Sequence, residues 1–225
     1  MLIKPSLKML PLAFGGLIGA VVTVMVLVYV LTAWWSTPIF GFSSGGPDQP
    51  IAFSHSVHVQ DNGIQCEFCH RNVSKGSAAT VPSVEQCLFC HTTITGEDNA
   101  EIAKLLAHAG LDPSGVADPA VSAEPIDWVR VHRLPDHTQF VHEAHIQFFS
   151  QGGGVDQAVA KAREFGLPLS QPPEETELVE ATCTICHGEV RAMEKVKQGR
   201  TLKMGDCVDC HRDNNAPTDC TTCHY

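Results

Sequence analysis

All ten cysteines of this 225-residue chain fall into five Cys-x-x-Cys pairs, and a histidine follows each pair at once. The five units are Cys66-Glu-Phe-Cys69-His70, Cys87-Leu-Phe-Cys90-His91, Cys183-Thr-Ile-Cys186-His187, Cys207-Val-Asp-Cys210-His211 and Cys220-Thr-Thr-Cys223-His224. Zinc ribbons and redox dithiols also use Cys-x-x-Cys, but neither requires a histidine after every pair. With 12 histidines in 225 residues, five coincidences in five would arise by chance about once in a few million. The pattern is the attachment signature of c-type haem, in which two thiols add to the two vinyl groups of one porphyrin and the adjacent histidine becomes the proximal iron ligand. Five covalent haem c groups are therefore expected.

That number constrains the fold. Residues 36–225, 190 in all, leave 38 residues for each haem, too few to close a separate apolar core around every ring. The expected architecture is a multihaem cytochrome c: mostly short α-helices and irregular chain wrapped around five stacked haems. Short helices are expected over 100–108 and over 156–164, the latter bounded by the glycines at 152–154 and by Pro168, Pro172 and Pro173. No long alternating strand pattern is visible.

The chain also repeats itself. Phe53-Ser-His55-Ser-Val-His58-Val-Gln60 matches Phe140-Val-His142-Glu-Ala-His145-Ile-Gln147 at four identical positions and one Val/Ile exchange. His58 stands eight residues before Cys66 and His145 stands 38 before Cys183, so the second half carries an insertion of 30 residues. Seven histidines remain once the proximal five are set aside: His55, His58, His108, His132, His137, His142 and His145. The i, i+3 spacing of His55/His58 and His142/His145 puts two imidazoles on one helical face, within reach of two neighbouring irons. His132 is the expected fifth distal ligand by count and by its nearness to the second pair. His137, His108 and Met204 compete with it, because thioether ligation is common in cytochromes c. His108 ends a helix, where an imidazole also interacts with the dipole, and Met204 equally suits packing on a haem edge.

Residues 11–35 form an uncharged apolar run of 25 residues. About 20 suffice to cross a bilayer as a helix, and Trp34 and Trp35 stand where a signal peptide would carry its small-residue cleavage site. The run is read as an uncleaved transmembrane anchor, with 1–10 cytoplasmic, 36–50 a Ser/Gly/Pro-rich linker and 51–225 a periplasmic pentahaem domain. Orientation follows from Lys4 and Lys8, because no other basic residue precedes Arg71. The result is a single-pass protein of the bacterial inner membrane, and export suits haem c attachment, which needs reduced thiols outside the cytoplasm. A net charge of −10 argues against nucleic acid as a partner.

The two Phe-x-His-x-x-His segments resemble those of the small class III multihaem cytochromes. Taken with the anchor, the five haem units, Trp128-Val-Arg-Val-His132-Arg-Leu-Pro135 and Met204-Gly-Asp-Cys207, the chain resembles the pentahaem membrane-anchored subunit of alternative complex III. The resemblance implies a non-enzymatic electron-transfer subunit without a catalytic site of its own, in a respiratory or photosynthetic quinol-oxidising complex. It implies partners of three kinds: an iron–sulfur subunit, polytopic quinol-binding membrane subunits and a monohaem cytochrome c. It also implies His55, His58, His132, His142 and His145 as the distal ligands. Two other readings remain at this point: a free-standing membrane-anchored quinol dehydrogenase feeding a periplasmic reductase, and a multihaem reductase. The second would need an iron with an open position, and seven spare histidines can saturate five irons.

Overall fold

The computed structural model describes residues 10–36, 45–94, 97–150, 154–164, 166–167, 169–199 and 201–225. Two units are distinguished, Met1–Ser44 and Gly45–Tyr225. In the first, helix α1 runs Leu10–Ser36 and contains the uninterrupted apolar stretch Phe14–Leu31. Its described side chains are all exposed, which is what a helix solvated by lipid requires. Thr23 Oγ1 donates to the Gly19 carbonyl at 2.8 Å, folding that hydroxyl back onto the helix. Lys4 and Lys8 lie outside the described residues.

The second unit is helical and irregular, and among the described residues its only β pairing is two isolated bridges, Leu111 with Ala117 and Thr138 with His224. Its helices are α2 (Cys66–Cys69), α3 (Val84–His91), α4 (Ala100–His108), α5 (His142–Ser150), α6 (Gly154–Glu164), α7 (Glu175–His187), α8 (Met204–Asp213) and α9 (Cys220–Cys223). Every Cys-x-x-Cys pair lies on one of them, so i, i+3 geometry turns each pair of thiols to one side. Local signals account for several boundaries. The Asn99 side chain accepts from the amides of Glu101 and Ile102 and starts α4. Glu174 and Glu177 form a reciprocal capping box at the head of α7. Gly188, at φ +70°, ends α7 directly after His187.

The apolar core is thin. Among the described residues a cluster forms from Ala158, Ala162, Leu167 and Ala181, flanked by Phe149, Leu169 and Ile185, where α5, α6 and α7 meet. Three alanines at the contact let α6 and α7 approach closely. Leu106 is the largest side chain that is fully buried among the described residues. A chain of this size with so small a core is incomplete without an additional apolar body. Ala181 is fully buried, so Ala181→Leu should lower stability by about 1–3 kcal/mol through overpacking, measured as a drop in the denaturant midpoint.

The 30-residue insertion of the second half forms α6 and the first part of α7. Asp48 pairs with Lys195 at 2.5 Å. Gln49 exchanges two hydrogen bonds with the Val129 backbone, at 2.9 and 2.8 Å. The last residues of the expected 36–50 linker thus belong to the second unit, and residues 37–44 lie outside the described ones.

Candidate haem-binding sites

The two repeats fold alike around their aromatic residue. Phe53 meets His55 edge-on at 4.9 Å and stacks on His58 at 4.3 Å; Phe140 meets His142 edge-on at 4.9 Å and stacks on His145 at 4.5 Å. The first copy sits on a π-helical turn, Ser56–Asp61, and the second opens α5. A π turn holds an extra residue per hydrogen-bonded ring and commonly marks a functional position. The two copies also dock on reciprocal partners. The Ser56 amide donates to the Met193 carbonyl, in the loop after the third motif, while the His142 and Glu143 amides donate to Ser77 and Gly76, in the loop after the first. Each repeat therefore reaches across to the other half.

From those positions the repeat histidines face motif histidines. Ring centroids are 6.2 Å apart for His58 and His91, 6.1 Å for His145 and His211, and 6.2 Å for His142 and His187. Two imidazoles on opposite sides of one metal, with bonds of about 2.0–2.1 Å and about 1.1 Å from each nitrogen to its ring centre, would stand about 6.2–6.4 Å apart. His58 with His91 and His142 with His187 fall at the lower edge of that span, and His145 with His211, at 6.1 Å, stands just below it.

The ring nitrogens are prepared for ligation. The Nδ1–H groups of His58, His70, His142, His145 and His211 donate to the carbonyls of Ser54, Thr80, Ser77, Val141 and Pro217 at 2.6–2.8 Å. Those of His91 and His224 donate to Ile94 and His137, both at 3.3 Å. A carbonyl can only accept, so the proton sits on Nδ1 and the Nε2 lone pair remains available to a metal. Burial lowers His55 and His187 to about 4 and also lowers His132 and His145, which keeps these rings neutral, as metal ligation requires. His55 Nδ1 and His132 Nε2 are buried without a hydrogen-bond partner, as nitrogens kept for another bonding partner would be.

His132 lies against His187, with ring centroids 4.4 Å apart, whereas the ring beside His224 is His137, at 5.3 Å. The His137 carbonyl also takes the His224 Nδ1–H, and Thr138 bridges to His224. Sequence reasoning named His132 by count and could not see that the backbone at 137–139 is the segment lying on the fifth motif. His55 is electrostatically close to His70, His58 and His132. His108 stands apart: its Nδ1–H donates to the Glu124 carbonyl at 3.2 Å, and it lines an open cleft of about 520 Å³ with Val84, Leu88 and Trp128. Met204 heads α8 and is 67% exposed.

None of the ten cysteines is in a disulfide, so each pair could supply two thiols for addition to vinyl groups. Burial raises Cys69 and Cys87. The Cys66 and Cys183 side chains hydrogen-bond to each other, and that bond, with burial, holds the Cys183 proton well above the ordinary thiol range. The contact joins the first cysteines of motifs one and three. Cys69 lies within electrostatic reach of Cys87 and Cys90. Motif two is thus next to motif one, and motif one next to motif three; α5 then offers His142 to motif three and His145 to motif four. Among the described residues no group of three or more His, Cys, Asp or Glu side chains is gathered to hold a metal ion directly, whereas a structural zinc site needs four such ligands. Paired thiols, opposed imidazoles and a missing core fit covalent haem and do not fit zinc.

No family model matches the chain. Over 94% of its length the chain is 29% identical to the protein named menaquinone reductase, multihaem cytochrome c subunit, of Nitratidesulfovibrio vulgaris strain Hildenborough, and the match covers 91% of that protein. From end to end, then, the chain is similar to a multihaem cytochrome c, whose chemistry is electron transport by haem iron, and its N-terminal apolar helix fits a transmembrane anchor.

Proposed function

We propose that the chain is an electron-relay subunit of a quinone-linked membrane complex, anchored by α1, with five covalent haem c groups in a periplasmic domain. The observation that carries this reading is the set of three imidazole pairs spaced to share one metal each, every pair joining a motif histidine to a histidine of the internal repeat. When bound, each haem supplies a one-electron carrier whose six-coordinate iron has no position for a substrate.

The chain's own residues hold and space these groups. In this reading His58 with His91, His145 with His211, and His142 with His187 would each hold one haem iron between them. His55 stands with His70, by the equivalence of the two repeats, and His137 is the neighbour of the fifth motif. His132 borders the third site. The Nδ1–H bonds to backbone carbonyls fix ring orientation, and the Cys66–Cys183 contact sets the first and third sites side by side.

The likeness to alternative complex III makes quinol the electron source and a periplasmic carrier the acceptor, with an iron–sulfur subunit, polytopic quinol-binding subunits and a monohaem cytochrome c as partners. The name of the relative favours a second reading, in which electrons enter through this chain and reduce menaquinone. A relay has no direction of its own; the potentials at its two ends decide. Gentle detergent extraction, identification of everything that travels with the chain, and stopped-flow mixing of the assembly with quinol or with menaquinone separates the two. Haem reduction by quinol supports the first reading, and oxidation of prereduced haem by menaquinone supports the second. A lone chain that oxidises quinol without polytopic partners would contradict both.

A further inference from the structure

Glu180 lies one helical turn before Cys183 on α7 and is only 9% exposed. One of its carboxylate oxygens accepts from Arg191 at 2.8 Å; the other, Oε1, is buried with no hydrogen-bond partner. Glu189, beyond the end of α7, acts on it electrostatically, and the Glu189 Oε1 is likewise buried without a partner. Glu177, one turn earlier on α7, adds a third carboxylate. Three acids thus face a single guanidinium. Of the other elements packed on α7, α5 presents Phe149 and α6 presents Ala158 and Ala162; the α6 cation nearest these acids, Arg163, donates to the Ser170 carbonyl, beside Glu177, and α2 contributes Glu67, whose charge acts on both Cys66 and Cys183. Glu180 in turn acts on Cys66, so this buried acid stands at the contact where the first and third motifs meet.

We propose that Glu180 is a proton-binding site coupled to reduction of the haems attached at Cys66 and Cys183. The inference rests on the relay reading of those two motifs. An electron arriving there adds one negative charge beside an oxygen that has no hydrogen-bond donor; Glu180 Oε1 takes one proton from water, and the net charge of the junction is unchanged. Oxidation returns the proton. Burial already raises the Glu180 carboxyl, Glu189 and Glu177 raise it further, and Arg191 opposes them. A neighbouring electron favours the protonated form again, so the reduced state binds its proton at higher pH than the oxidised state does. Between those two values the potential must fall as pH rises, and outside them it must be flat.

The test is a spectroelectrochemical titration of the purified, full-length, detergent-solubilised haem protein between pH 5 and 8. In the native protein, the reduced-to-oxidised ratio of at least one haem at fixed potential should fall about three- to tenfold per pH unit within the window, tenfold being the limit of one proton per electron. Glu180→Gln should abolish that slope and hold the potential near its low-pH value, whereas Glu180→Asp should keep a slope. Arg191→Gln removes the opposing charge and should move the window to higher pH. A flat native titration, an unchanged slope in Glu180→Gln, or an unmoved window in Arg191→Gln would each overturn the proposal. Absence of haem at the first and third motifs would overturn the relay reading together with this one, while haem present with a flat titration overturns this one alone.

Discussion

Replacing His145 with alanine should turn one of five low-spin haems high-spin and open its iron to carbon monoxide, and replacing His58 should do the same at a different haem. Both rings face their motif partners at the span of a shared metal, 6.1 Å for His145 with His211 and 6.2 Å for His58 with His91. Both also have Nδ1 tied to a carbonyl of their own segment, Val141 and Ser54, so no other imidazole replaces them without breaking that geometry. A six-coordinate iron becomes five-coordinate, and the spectral change should amount to one haem in five. The double variant should convert two, because the two rings stand on different repeats and share no motif partner. Spectra unchanged in either single variant would refute that ligand pair.

Replacing Cys66, Cys69, Cys183 and Cys186 together with alanine should remove the two haems proposed for the first and third motifs and with them most of the fold. The first and third motifs touch through Cys66 and Cys183, and among the described residues the apolar cluster beside them is the small, alanine-rich one of α6 and α7. Removing large rigid apolar bodies from such a chain deletes what holds it together, in the way that cavity formation destabilises ordinary cores but on a larger scale. The expected outcome is a chain that accumulates poorly and is degraded by protease. The same change at the terminal motif, Cys220 and Cys223, should cost one haem and leave the other four low-spin. A four-cysteine variant as stable as the native protein would mean that the polypeptide core suffices.

Much of this was legible in the sequence because haem attachment is a covalent code: the spacing of two thiols and one imidazole is dictated by the macrocycle, not by the fold. The α4 helix was readable at 100–108, since its Asn99 cap and apolar positions are local signals. The α6 helix begins at Gly154 rather than at 156. The helical run ahead of the third motif, Glu175–His187, was not anticipated, because Thr176, Val179, Thr182, Thr184 and Ile185 have modest helix propensity; the capping box and packing on α6 overcome it. The π turn carrying His55 and His58 has no sequence signature, although the matching Phe53 and Phe140 geometry shows that both repeats deliver their imidazoles alike. Reach between distant segments was the least legible quantity. The placement of His132 beside His187, and of residues 137–139 along the fifth motif, arises from the crossing of the two halves, which no local pattern records.

The reciprocal docking of the repeats also bears on how the chain assembles. The first repeat rests on the loop after motif three, and the second rests on the loop after motif one. Gly199 is needed in that third-motif loop, because a Cβ there would stand 2.6 Å from the His187 carbonyl. A chain cut in the 30-residue insertion separates His142 and His145 from His187 and His211, so the C-terminal fragment should lose low-spin haem, while the N-terminal fragment keeps His58 with His91.

The central claim is that five haems are bound covalently through the five cysteine pairs, and the mass of the intact, fully denatured chain tests it most directly. Denaturation strips any metal or cofactor held by coordination alone and leaves thioether-bound haem in place. The account predicts the 24.3 kDa polypeptide plus five haem masses, falling by one haem when Cys220 and Cys223 are replaced. A denatured chain at the bare polypeptide mass, or one unchanged by that replacement, would contradict it.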